Sequence, residues 1–501
     1  MALKKNIIAN YLGQFYLIII GIVVVPFYLQ YLGEEAYGLV GFFALVQSWM
    51  LLLDMGISPT LSREVAKVKA KKNSDDVIKF KYLLHSLEFI FILISLFVAV
   101  NIIFFSDWIS ASWLKVETLD LNTVAYCISL IGVMIGLRFL TSLYKSGIIG
   151  TEEQVWLNKV NIAIATLKFV GVIFILHFIS NDIKYFFEYQ FFIAIIEFLF
   201  FTIKFYSSMK IGRFQFYFSY EKVKPILPFA MSIAYTGGIW IFITQLDKLL
   251  LSGILPLKEY GYFALLGMVA NAIIQISAPI SSAILPRMTN LYTQGKEREM
   301  LNIYRRSTQL VAIIVFAVTG VVSVYSFELL YSWTGNLEAS LWGEDVLFWY
   351  VLANGILAIA SFQYYLQFVY GKLKMHVRYH TVALFLFSPI IAFTAYTYGA
   401  IGVAFVWFIF MLLSFLLWIP YIHHLFAPGI HKLWMKEDVV PIFLSSIVYF
   451  IGMSFVSLDS IEHRGILFLV LILIGMGVLI LNVLVSRVGR EIVLNLLKKR
   501  K

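Results

Sequence analysis

The chain has 501 residues, of which 61% are hydrophobic and 14% charged. A soluble chain of this size carries about 25% charged residues, so a soluble enzyme or nucleic-acid binder is excluded, and the net charge of +10 needs another explanation. A single cysteine, Cys127, excludes an intrachain disulfide and a cysteine-based metal cluster.

Apolar runs of roughly 20 residues recur from end to end, each long enough to cross a hydrocarbon layer of about 30 Å as a helix. The sequence predicts an all-α polytopic membrane protein with about 14 transmembrane helices, at 6–30, 37–58, 80–105, 119–145, 155–178, 185–206, 224–251, 258–284, 305–333, 345–370, 379–398, 400–424, 438–457 and 464–485. The first run continues into more of the same, so no cleavable signal is expected. Of the 39 lysines and arginines, 32 fall on the N-terminal side of the alternating connections and four on the other, Lys115, Lys184, Lys258 and Arg464. Cytoplasmic loops collect Lys and Arg, which places both termini in the cytoplasm. The basic balance is therefore a topology signal, and the tail Lys498 to Lys501 is suited to anionic membrane lipid. The connections are too short for a catalytic domain and hold no P-loop, so neither an enzyme nor an ATP-driven pump is expected.

An internal repeat organises the spans. Tyr37-Gly38 and Tyr260-Gly261 are 223 positions apart, and Arg63 and Arg287, which close the same even-numbered spans, are 224 apart. Gly150 and Gly371 give a weaker echo at 221. Spans 1–6 and 7–12 thus read as two six-helix lobes in parallel repeat, related by an axis along the membrane normal, a plan used by some secondary transporters. The expected division is 1–206 for the first lobe, 207–223 for a cytoplasmic linker, 224–424 for the second lobe, and 425–501 for two additional helices and a basic tail.

Polar residues inside the spans share helical faces. They are Asn6, Asn10 and Gln14 in span 1, Gln47, Asp54 and Ser58 in span 2, Arg138, Ser142 and Lys145 in span 4, and Asn158, Asn161 and Lys168 in span 5. Thr244 and Lys248 do the same in span 7. Such faces are hard to place against lipid and predict a hydrophilic cavity. Arg138, Lys168, Lys248, Asn10, Gln14 and Gln47 are the expected cavity residues. Each has a plainer reading. Asn6, Asp54, Lys145 and Asn158 fall near the cytoplasmic interface, where water would solvate them. Arg138 could snorkel, and Lys168 could simply pair with Glu197 at similar depth in the next span. Glu88, with His85 one turn away, is a candidate proton site or partner for Arg138. Asp247 and Lys248 are adjacent and point about 100° apart. They form either an interfacial cap or a split pair, with Lys248 in the cavity and Asp247 against another helix. Glu88, Glu197, Asp247 and Asp54 are the candidates for ion coupling or helix pairing. No metal-ligand pattern is present.

The block QLDKLLLSGILPLKEYGYFALL, Gln245 to Leu266, and the opening PFYLQYLGEEAYGLVGFFALVQSWMLLLDMGISPTLSREVAK, Pro26 to Lys67, resemble the Wzx-type O-antigen and polysaccharide repeat-unit flippases of the multidrug/oligosaccharidyl-lipid/polysaccharide exporter superfamily. The resemblance covers most of the chain. It implies two six-helix lobes, a V-shaped cavity and a cationic lumen in the bacterial inner membrane. It also implies alternating access for an undecaprenyl-pyrophosphate-linked glycan, with H+ or Na+ as coupling ion, no other cofactor and no nucleic acid, and other polysaccharide assembly proteins as partners. O-antigen members are often read with twelve spans, two fewer than here. The extra pair resembles the lipid II flippase branch, but span 1 lacks the arginines that branch uses. The competing reading is an ion-coupled multidrug or small-molecule exporter of the same fold, which would favour acidic pockets over embedded cations.

Overall fold

The computed structural model describes residues 2–54, 56–71, 74–212, 214–453, 456, 458 and 461–498. The side chains of 2–8, 71, 74, 282 and 495–498 fall outside the description, which leaves out the Asn6 side chain and the basic tail. The chain is helical, with one isolated bridge, between Lys115 and Pro256, among the described residues.

Twelve described helices are long and apolar enough to cross a membrane. One of them, Lys374–Phe426, runs for 53 residues, about 80 Å at 1.5 Å per residue and far more than one crossing needs. It is two spans joined at Gly399, whose φ of 60° and ψ of −144° break the helical path. A π-helical turn, Met435–Val439, runs into the short helix Val440–Met453 and accounts for the remaining expected span. Each of the fourteen predicted spans thus has a helical counterpart among the described residues, and the protein is an all-α, multi-pass membrane protein.

Two compact units divide at Gly261/Tyr262. The N-terminal unit contains α1 (Ala2–Leu32), α2 (Glu34–Leu53), α3 (Ile57–Lys71), α4 (Ser74–Phe104), α5 (Leu121–Gly150), α6 (Gln154–Phe178), α7 (Ile183–Met209) and α8 (Leu227–Ile254). It also takes the first turn of α9 (Leu257–Thr293). Repeat spacing assigns α8 to the second lobe, whereas contact groups it with the first. Trp49 meets Phe242 at 4.8 Å between ring centres, and the Arg63 guanidinium lies 3.9 Å over the Phe229 ring. Repeat spacing and compactness are different criteria, and the expected linker 207–223 rests on the former alone.

α5 is the hub of this unit, buried along most of its length against α3, α4 and α7. Small residues let it approach its neighbours closely, as membrane helices require. The Ser95 hydroxyl of α4, for example, donates to the Gly136 carbonyl at 3.0 Å.

At the end of the unit where α1 turns into α2, the repeated Tyr-Gly pairs meet. A Cβ on Gly38 would overlap the Leu257 carbonyl, and one on Gly261 would come within 2.9 Å of the Gly38 nitrogen. Lys258 pairs with Glu34 at 2.9 Å, and the Leu257 amide donates to the Lys115 carbonyl at 2.8 Å. The buried Glu35 carboxylate accepts from the amides of Glu117 at 2.5 Å, Thr118 at 2.9 Å and Leu119 at 3.2 Å. One side chain thus ties the 105–120 connection to the α1–α2 turn.

The C-terminal unit, Tyr262–Lys501, packs α10 (Glu297–Val324) against Val440–Met453 and the helix Arg464–Val485. Its polar staple is Arg305, which donates to Asp438 at 2.5 Å and to Glu437 at 2.7 Å.

Hydrogen bonds to a charged acceptor contribute about 1.5–3 kcal/mol each. Glu35→Ala should therefore lower the thermal midpoint of the detergent-solubilised protein by several degrees, whereas Glu34→Ala, which removes a more exposed pair, should change it little. Equal midpoints for wild type and Glu35→Ala would refute the tethering role.

Candidate substrate cavity

A cavity of about 420 Å³ opens inside the N-terminal unit, between α1, α2, α5, α6 and α7. Arg138 and Lys145 reach it from α5, Lys168 from α6, Glu197 from α7 and Gln47 from α2. Arg138 and Lys145 are two helical turns apart and so share a face of α5.

The charges are specifically partnered. Glu197, only 4% exposed, gives one carboxylate oxygen to Lys145, at 2.5 Å, and the other to Lys168. The Arg138 guanidinium donates to the Gln47 side-chain oxygen and stacks 4.6 Å from the Phe43 ring. Its buried Nε has no hydrogen-bond partner among the described residues. Three cations face one carboxylate, so the lining carries a net charge of +2. Guanidinium and ammonium groups in a poorly hydrated cavity bind phosphate oxyanions well, Arg as a fork and Lys as a point charge.

Lys168 is placed by an irregularity of its helix. Residues Leu167–Gly171 form a π-helical turn within α6. A π turn widens the helix and redirects carbonyls that an α-helix would hold in line. Here three consecutive carbonyls receive side-chain donors from neighbouring helices. Tyr189 donates to Leu167 at 3.0 Å, Gln190 to Lys168 at 2.8 Å, and Tyr28 to Phe169 at 3.0 Å. Gly171 makes room for this, since a Cβ there would overlap the Tyr189 hydroxyl.

Of the residues expected in the cavity, Arg138, Lys168 and Gln47 line it. Both readings of Lys168 apply, because it lines the cavity and pairs with Glu197. Lys145, whose polar face and interfacial position left two readings open, lines the cavity, and Asn161 joins it. The shared face with Arg138 was the signal. Asn10 does not line this cavity. It donates to Gln154 at 2.8 Å and accepts from Asn158 at 2.5 Å, tying α1 to α6. Gln14 is exposed elsewhere.

Lys248 is also absent from this lining. Its ammonium folds back to the Thr244 carbonyl at 2.7 Å and to Asp247 at 3.2 Å. The 100° between adjacent positions does not keep them apart, because four methylenes let the ammonium reach round its own helix. Asp247 itself is 7% exposed.

Asp54 caps the end of α2 and accepts from the Ser58 hydroxyl at 2.5 Å and the Ser58 amide at 3.2 Å. Glu88 is 1% exposed and is not the partner of Arg138. It accepts from Tyr206 at 2.6 Å and Tyr144 at 3.0 Å, and bonds His85 at 2.9 Å. No group of three or more metal-ligating side chains occurs among the described residues.

Comparison with solved structures gives the class of fold. The chain superposes on lipid II flippase MurJ in an inward closed conformation with a TM-score of 0.74 at 15% identity, covering 94% of this chain and 97% of that one. An inward-facing MATE family multidrug resistance transporter gives 0.59 at 13% identity over 80% and 94% of the chains. A transporter from Pyrococcus furiosus gives 0.55 at 13% identity over 85% and 96%. The chain shares its fold with these three proteins. By sequence, residues 3–292 match the family described as polysaccharide biosynthesis protein, and the chain belongs to that family. A putative O-antigen transporter of Shigella flexneri is 22% identical over 417 residues, 83% of this chain and 97% of that relative. The resemblance to Wzx-type flippases read from the two sequence blocks holds.

Gln190→Leu leaves the Lys168 carbonyl without its donor, at a cost of about 1–3 kcal/mol for an unsatisfied buried group. It should lower the thermal midpoint, and it should also change the reactivity of Lys168 toward a small amine reagent. A destabilised protein with unchanged Lys168 labelling would show that the turn does not position this lysine.

Proposed function

We propose that this chain is a flippase that moves a polyprenyl-pyrophosphate-linked oligosaccharide repeat unit from the cytoplasmic to the outer leaflet of the bacterial inner membrane by alternating access. The observation that carries this reading is the Arg138, Lys145 and Lys168 cluster, held at +2 by Glu197 inside a membrane-embedded unit. Fixed cations at that depth are costly unless an anion offsets them. A pyrophosphate diester brings two negative charges, equal and opposite to the lining. The family membership and the O-antigen relative support the same class of cargo. In this reading both termini are cytoplasmic, and the coupling ion, H+ or Na+, is taken up at a buried carboxylate.

In cells lacking the chromosomal copy, Arg138→Ala or Lys168→Ala should reduce surface glycan at least tenfold, with normal amounts of protein in the membrane fraction, and Arg138→Lys should recover part of it. Full surface glycan from either alanine variant would sink the reading. For topology, reporter fusions after Asp182 should report the outside, and fusions after Lys210 the cytoplasm. The reverse pattern would invert the transport direction assigned here.

A further inference from the structure

Glu197 is an unusual neighbour for an anion site. A carboxylate beside phosphate-binding lysines repels the ligand, and simple design would omit it. Its geometry is that of a bound ligand. Each oxygen is taken by a different lysine, Lys145 from α5 and Lys168 from α6, while Glu197 itself stands on α7. The carboxylate thus occupies ammonium groups that a diphosphate would use. Glu and Lys carry several rotatable bonds each, so the three groups can part without moving a helix. Arg138 is held differently, by the neutral Gln47 and the Phe43 face, with a donor left over.

We propose that Glu197 is the resident counter-ion of the empty site: it holds Lys145 and Lys168 while no cargo is bound, yields them to the diphosphate, and reclaims them as the diphosphate leaves. The inference rests on the reading of the cavity as a diphosphate site. Two physical requirements support it. A carrier must return empty, and two unpaired lysines at membrane depth would make that state costly. A carrier must also let go, and a site with three free cations would hold a dianion too tightly for turnover. An internal carboxylate meets both. It neutralises the empty site and competes with the bound anion from within reach, at the high effective concentration of a tethered group. Arg138, which Glu197 does not occupy, makes the first contact.

The test separates binding from turnover in the full-length protein. Farnesyl diphosphate binding to detergent-purified protein is measured by calorimetry, with farnesol as the uncharged control. Surface glycan in cells lacking the chromosomal copy reports transport. Lys168→Ala should weaken farnesyl diphosphate binding about tenfold or more, the loss of one charge-assisted contact. Glu197→Gln should tighten binding several-fold and yet cut surface glycan several-fold. Where Glu197→Gln does not accumulate, Lys145→Met/Glu197→Gln, which keeps the wild-type net charge of the lining, is compared with Lys145→Met. The double variant should bind farnesyl diphosphate more tightly than the single one. Weaker binding on loss of Glu197, in either background, would make it a positioning residue and overturn the exchange. Tighter binding with undiminished surface glycan would reduce its role to charge screening and also overturn it. Wild-type protein that binds farnesyl diphosphate no better than farnesol would instead refute the diphosphate reading beneath both.

Discussion

The constraint on which the N-terminal unit depends is the cost of holding charge where water is scarce. An ion placed in a low-dielectric interior loses several kcal/mol of solvation even after relaxation, and it persists only with partners of good geometry. Arg138, Lys145 and Lys168 persist because Glu197, Gln47 and the Phe43 ring meet them on well-packed helices. Those helices are held in turn by α5, whose small residues admit α4 closely enough for the Ser95 hydroxyl to reach the Gly136 carbonyl. The packing of the hub and the charge of the cavity are one problem solved together.

The π turn in α6 shows how local irregularity serves that solution. A regular helix through 167–171 would satisfy its own carbonyls and leave Tyr28, Tyr189 and Gln190 without these acceptors. The observed turn gives each of them a partner and locks α6 to α1 and α7 around Lys168. Non-ideal backbone is tolerated at membrane depth only where protein or a cavity lines it, and here both do.

The spans were legible in the sequence because the bilayer demands length and apolarity. Even the junction at Gly399 fell between two predicted spans. Helical faces were legible too, which is why Arg138, Gln47 and Lys168 were found. What sequence periodicity does not encode is depth and reach. Lys145 sits two turns from Arg138 on the same face, yet counting residues to the nearest loop left plain solvation at the interface open as well. Lys248 looked committed to a direction by the helix wheel, while its flexible stem lets it turn back to Asp247. The π turn had no signature at all in residue type, since it depends on donors 22 and 141 positions away in the chain. The grouping of α8 with the first unit is likewise a matter of which surfaces touch, which duplication of sequence does not determine.

Two of the buried acids of this unit, Glu88 and Glu197, illustrate what separates an anchor from an exchangeable ion. Glu88 and Glu197 are comparably hidden. Glu88 is surrounded by two tyrosine hydroxyls and an imidazole, drawn from α4, α5 and α7, so its bonds stitch three helices. Among the described residues those donors bond no other carboxylate. Glu197 is held by two ammonium groups on flexible stems that face a cavity, the arrangement on which the proposed exchange with a diphosphate depends. Burial alone makes both acids conspicuous. The mobility and charge of the donors give the first the character of a structural or proton-binding group and the second that of a ligand the protein carries for itself.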